Sequence, residues 1–354
     1  PRGENMFGIW RTLLALEVVA THLISMKIFG PYAVVAFFVL SGFLMTLIMQ
    51  GSYGYTQQGR WRFATNRALR LLPAHWFACA VALALIAILP AFASAYHPAL
   101  TAPQTASEWL SNLTLIYPSL YPQEVFPRLS PATWALTVEI FWYALIALGL
   151  SRTKTSTLLW LSASAGYWLA ALLFDVGQHA VYGSIMGGSL PFAIGAAAYH
   201  FRTELETAIG RRWETLAGLV FGRWGLCLAM LALYAFGDLD WRVRAIGNVV
   251  NALLAAGTVV YLFGTKMPWR SLDKRIGDFS YPIYLLHWPA GMIAAYFVLG
   301  EPYHGASLPG LAALAVALPV LLILSCAVVY GIDPLVETLR SKVRRQAQVA
   351  RDIG

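Results

Sequence analysis

Charge is what this chain has least of. Acidic and basic residues fill 12% of its 354 positions, about half the share of an ordinary soluble domain. That scarcity argues against a solvated globule, as does a mean hydropathy of +0.61. Cysteine is almost missing too. Cys79, Cys227 and Cys326 all lie in apolar runs without C-x-x-C spacing, and imply neither a disulfide framework nor a metal site. No repeat period and no low-complexity tract divide the chain, so it reads as one domain.

What fills the space is hydrophobic residues, at 58%. They form runs near the ~20 residues that a bilayer-spanning helix needs. Breaks at charges, proline and glycine give ten candidate spans: 7–25, 32–50, 74–95, 131–150, 156–174, 181–199, 215–236, 245–263, 279–299 and 308–331. The first carries Arg11, Glu17 and His22, which suits a retained helix better than a cleaved leader. Pro1 at the start suggests trimming. The Pro-rich connection 96–130 is expected to cap the membrane surface.

The net charge of +8 would suggest nucleic acid in a soluble protein. Here the loops explain it. With the N-terminus placed inside, nineteen Lys and Arg fall in inside segments, Arg2, Lys266, Arg344, Arg345 and Arg351 among them. Only Lys27, Arg128, Arg242 and Arg244 fall outside. That bias is the positive-inside pattern. The expectation is an all-α integral membrane protein of about ten transmembrane helices, with both termini cytoplasmic and no nucleic-acid partner. A membrane domain over 1–335 is followed by a basic cytoplasmic tail, 336–354.

Ionisable groups inside spans are costly and are functional candidates by default. These are Arg11, Glu17, His22, His75, Glu139, Arg223 and His287. Arg11 and His22 are eleven residues apart, about 20° past three full turns, so they share a helix face with a rise of roughly 16 Å between them. A cation near one surface and an imidazole deeper along the same stripe suit a long anionic substrate worked on at its far end. The structural alternative stays open: Arg11 snorkelling to headgroups and His22 bonding between helices. Glu17, well round the helix from Arg11, reads as paired with another helix.

Four further segments carry polar chemistry. Ser41-Gly42 sits mid-span after Phe37 and Phe38, leaving room for close helix packing or for a thin substrate chain. Arg67 and Arg70 share a helix face ahead of Pro73 and could clamp phosphate, or simply set topology. His75 and Trp76 follow, placed at the interface. Glu139 is buried a turn after Trp134, and His287 lies in Ser280-Tyr281-Pro282-Ile283-Tyr284-Leu285-Leu286-His287-Trp288-Pro289.

Taken in order, Arg11-x10-His22, Phe37 to Leu44, Arg67-x-x-Arg70-Leu71-x-Pro73, Trp134 to Glu139 and Ser280 to Pro289 resemble the membrane-bound acyltransferase 3 family, the O-antigen acetylase-like acyltransferases. The motifs cover most of the first 143 residues plus 279–289. The resemblance implies a ten-helix enzyme that takes acyl-CoA, with acetyl-CoA foremost, as co-substrate from the cytoplasm and acylates a hydroxyl of a glycan or glycolipid acceptor. It implies a bacterial inner membrane, membrane lipid as surroundings, no metal, and leaves a homo-oligomer open. Carried onto this chain, His22, Arg11 and Glu139 are the catalytic candidates. Arg67, Arg70, Ser41, Gly42 and Phe38 are the donor-binding ones. His287, Tyr281, Tyr284 and Trp134 bind or support the acceptor.

The chain departs from the family pattern at its opening, which reads Phe7-Gly8-Ile9-Trp10-Arg11-Thr12, at Ala135 where serine is common, and at Glu17. These departures leave the acceptor undefined. No hydrolase-like domain is expected after the basic tail. The competing classes are a proton-coupled transporter or lipid-linked glycan flippase, which suits intramembrane Arg, Glu and His, and a non-catalytic receptor, which would tolerate changes at His22. Against the transporter, the spans carry no evident two-fold repeat.

Overall fold

The computed structural model describes residues 7–237, 239–265 and 269–352, with side chains to residue 343. Pro1, Arg2, Lys266 and the side chains of Arg344, Arg345 and Arg351 lie outside the described residues. Sixteen helices follow one another, and no strand occurs among the described residues: α1 (Gly8–Leu23), α2 (Phe29–Ile48), α3 (Gln57–Ile88), α4 (Pro90–Tyr96), α5 (Ala106–Thr114), α6 (Trp134–Leu148), α7 (Lys154–Leu173), α8 (Gln178–Val181), α9 (Ser189–His200), α10 (Arg202–Ile209), α11 (Trp213–Phe236), α12 (Trp241–Gly264), α13 (Arg270–Asp278), α14 (Ser280–Leu299), α15 (Leu308–Cys326) and α16 (Asp333–Asp352). An all-helical chain is what hydrocarbon demands, because a helix satisfies its backbone polar groups within itself. The helix starts are written in the sequence. Thr56, Thr153 and Ser307 each accept a hydrogen bond from the backbone N–H three residues on, the usual N-cap.

Eight stretches of described helix are long and apolar enough to cross a membrane. The two expected spans that fall short are the first and the sixth. α1 has 16 residues and α9 has 12, or roughly 24 and 18 Å of helix. Over 182–188 the expected sixth span is bend and turn instead, since Gly183, Ser184, Gly187 and Gly188 are neutral in hydropathy but poor at propagating a helix. The third span differs in the other direction. α3 runs unbroken for 32 residues through Pro73, so Arg67 and Arg70 belong to the same helix as His75. The boundary expected at 335/336 falls inside α16, which packs along α3.

α2 is the central post, packed against α1, α6, α9 and α12. α9 comes closest. A Cβ on Gly42 would collide with the Phe192 carbonyl, and one on Gly195 with the Val39 carbonyl; only glycine permits these backbones to approach so tightly. α1 lies between α2 and α14. At the rim, α11 buries only Arg223 and Cys227. The 96–130 connection packs inward. Through Asn112 and Leu113 it reaches the middle of α3, where Asn112 O is bonded by the fully buried His75 and Leu113 O accepts from Trp76 Nε1. His75 is therefore packed beneath that connection.

Candidate functional site

The start of α1 is held by a residue from far along the chain. Phe7 gives it no side-chain cap. Instead the Asp273 carboxylate of α13 accepts from Gly8 N and Ile9 N, both at 2.9 Å, and Thr12 Oγ1 donates to Ile276 O at 2.8 Å. A carboxylate at a helix N-terminus satisfies orphan N–H groups and the helix dipole together. This clamp sets Arg11, whose guanidinium runs beside Gly277 where a Cβ would block it.

Two cavities lie toward opposite ends of α1, α2 and α14. The first, of about 140 Å³, is lined by Arg11, Phe38, Ser41, Arg67, Arg70, Glu139, Tyr281 and Tyr284 together with apolar neighbours. Eight of the residues singled out from sequence thus share one wall set, three of them arginines. The second, of about 310 Å³, is lined by His22, Ser25, Lys27, Gln123, Trp134, Tyr182, Trp288 and His304 among others. Val34 and Tyr284 face both cavities. Gly42 lines neither, being spent on the contact with α9.

Inside the first cavity Glu139 is held in a triangle. Ser41 Oγ donates to Oε1 at 3.0 Å, Tyr143 Oη donates to Oε2 at 2.8 Å, and the two hydroxyls stand 3.1 Å apart. Tyr281 Oη donates to Leu71 O at 2.9 Å, tying α14 to α3. Tyr284 Oη donates to the Ala132 carbonyl. That bond fixes the ring in the partition between the cavities.

His22 is built as the open end of a chain. Its Nδ1 is 2.9 Å from His287 Nε2, and His287 Nδ1 is 2.8 Å from Tyr284 O. A carbonyl only accepts, so a neutral His287 carries its proton on Nδ1 and offers Nε2 as acceptor. His22 then donates from Nδ1, which leaves its own Nε2 as the lone-pair nitrogen. The two rings lie edge to edge and near parallel, with centroids 5.0 Å apart and an interplanar angle of 9°. Trp288 packs against both, its centroid 5.0 Å from that of His22 and 5.7 Å from that of His287. His287 lines neither cavity; it orients the imidazole that does.

The wall opposite His22 comes from the 122–134 segment, and a buried arginine shapes it. Arg128 is 3% exposed and donates to four carbonyls: Pro131 O at 3.0 Å, Pro122 O at 3.0 Å, Gln123 O at 2.8 Å and Val125 O at 2.6 Å. Burial pulls its pKa down to about 10, so it stays a cation at neutral pH. Nearby, His97 packs edge-on against Trp288 at 4.4 Å. Burial, with Arg128 close by, pulls its pKa down to about 4.

Glu17 does pair with another helix. Arg223 of α11 donates to both of its oxygens, at 2.7 and 2.6 Å, Trp224 Nε1 adds a third bond at 2.9 Å, and Arg223 Nε continues to Asn251 Oδ1 at 2.9 Å. Among residues the sequence reading passed over, Tyr143 was within reach, one helical turn after Glu139. Asp273, Gln123, Tyr182 and His304 come from loops and short helices with no pattern to mark them. Among the described residues, no group of three or more His, Cys, Asp or Glu is placed to hold a metal.

A family model described as an acyltransferase domain, Acyl_transf_3, matches residues 7–330. A protein of Komagataeibacter xylinus with the provisional name membrane-bound transacylase BcsY is 28% identical over 316 residues, covering 82% of this chain and 74% of that protein. No solved structure matches the chain.

Proposed function

The chain belongs to the acyltransferase 3 family, whose domain spans residues 7–330, and on that premise we propose that it moves an acyl group, acetyl foremost, from cytoplasmic acyl-CoA to a hydroxyl of a glycan or glycolipid at the bacterial inner membrane. The observation that carries the reading is the pair of cavities set back to back across Val34 and Tyr284. One is lined by three arginines and the other by a histidine with its Nε2 left as acceptor. Phosphates of the donor pair with Arg67, Arg70 and Arg11, and the thin pantetheine arm runs past Phe38 and Ser41. The rise of roughly 16 Å from Arg11 to His22 along an unbroken helix is comparable to the reach of that arm.

The acceptor enters the His22 cavity, between the rings of Trp134 and Trp288. His22 Nε2 takes the hydroxyl proton as the oxygen attacks the thioester carbonyl. The C–O bond forms, the C–S bond breaks, and the departing thiolate takes that proton to leave as the thiol. His287 holds the tautomer throughout, and Glu139 braces Ser41 beside the arm. For thioester and hydroxyl to meet, the Tyr284 partition has to swing aside. The test is transfer from radiolabelled acetyl-CoA by purified protein. Arg11→Ala should abolish it and His22→Ala should lower it by about 10²–10⁴-fold, and normal transfer by the His22 variant would overturn the assignment.

A further inference from the structure

Between α3 and α6 runs a lateral groove of about 590 Å³, separate from both cavities. Its walls are almost wholly apolar, with Leu72, Ile116, Ile140 and Leu148 along its length and Ala64, Ala68, Ala144 and Ala147 giving it depth. Trp61 at its rim is 69% exposed, and the α6 wall belongs to a helix apolar enough to cross a membrane, so that wall faces hydrocarbon. One end differs. There Arg60 enters the lining, and its buried Nε has no hydrogen-bond partner among the described residues; Arg67, two turns further along, is shared with the first cavity and donates to Asn66 Oδ1 at 3.0 Å. From Gln57 to Leu72 the groove covers roughly 22 Å of helix, against ~15 Å for half a hydrocarbon core.

We propose that this groove seats one anionic phospholipid from the leaflet at the amino-terminal end of α3. Its phosphate pairs with Arg60, and an acyl chain lies along the alanine floor toward Ile116. The charge pattern selects the occupant: apolar walls alone would accept any lipid tail, whereas an arginine with an orphan donor near one end asks for phosphate oxygens. The seat also adjoins the first cavity, since Arg67, Leu71 and Tyr143 line both. It does not rest on the acyl-CoA reading and is tested apart from it.

The experiment is native mass spectrometry of the purified full chain, offered phosphatidylglycerol and phosphatidylcholine in equal amounts. The parent should retain one phosphatidylglycerol in preference. Arg60→Gln, which alters no residue of either cavity, should lower that preference about fivefold, as expected for one surface cation. Ala144→Phe, which fills the floor, should release both lipids while the thermal unfolding midpoint holds; Ala68→Phe serves if that variant does not fold. An unchanged preference in Arg60→Gln, or unchanged retention in the filled groove, overturns the proposal. Acetyl transfer by Arg60→Gln in phosphatidylcholine nanodiscs should equal the parent's, which separates loss of the lipid seat from loss of the enzyme.

Discussion

Glu17 and His22 stand five residues apart on one helix, about 140° around it, and their surroundings have opposite logic. Glu17 is closed. Both oxygens are taken by Arg223, a third bond comes from Trp224, and the network runs on through Asn251, whose Nδ2 donates to Tyr32 O at 2.9 Å. It fastens α11, otherwise a rim helix, to α1, α2 and α12. His22 has one nitrogen committed to His287 and lines a cavity with the rest of its ring. Glu17 has its bonds made inside the protein, whereas His22 keeps one ring nitrogen uncommitted, as the proposed general base requires. Depth in the membrane alone does not separate the two.

The largest way to break this contrast is His22→Ala. It should lower kcat by about 10²–10⁴-fold, the worth of a positioned general base, with the unfolding midpoint in detergent close to the parent's. Arg223→Ala should do the reverse. Leaving Glu17 as an uncompensated buried charge should cost about 3–5 kcal/mol of stability, read by unfolding, while the paired change Glu17→Leu with Arg223→Met recovers most of it. A comparable drop in the double variant would mean that the pair does more than fasten helices. His287→Ala sharpens the other side. Losing the orienting partner should reduce kcat by about tenfold to a hundredfold, the range seen for outer partners of a working imidazole, with KM little changed. The smallest effect concerns His97. Its folded pKa of about 4 lies below the free value of about 6.5, so the unfolded chain binds more protons between those limits. Its share of stability is whole above pH 6.5 and drains away toward pH 4. His97→Gln should flatten the fall in unfolding midpoint across that window, and parallel curves would remove His97 as its source.

The sequence was most readable where period and motif coincided. Eleven residues of helix put Arg11 and His22 on one stripe, and both sit on the same side of α1, reaching cavities at its two ends. The Arg67-x-x-Arg70 spacing put both guanidinium groups on one cavity wall. What stayed hidden depends on contacts between distant positions. His22 and His287 are 265 residues apart in sequence, and nothing local couples their rings. Glu17 carried no sign of which cation would meet it, since Arg223 lies in a run that hydropathy treats as any other. The expected sixth span failed because a hydropathy count gives glycine and serine no penalty, whereas helix propagation does. Gly42 shows the same limit. Its smallness was evident, but whether it made room for a substrate or for Phe192 depended on which helix came alongside.

The partition of Val34 and Tyr284 has an electrical side. A protein hollowed from both ends still has to insulate the bilayer, where each elementary charge moved across 100 mV carries about 2.3 kcal/mol. Here the two cavities share the side chains of Val34 and Tyr284, 6% and 7% exposed, with the tyrosine pinned by its bond to the Ala132 carbonyl. On the proposed transfer, that ring has to swing aside with both chambers filled, or an ion gradient across the membrane would run down through the same opening.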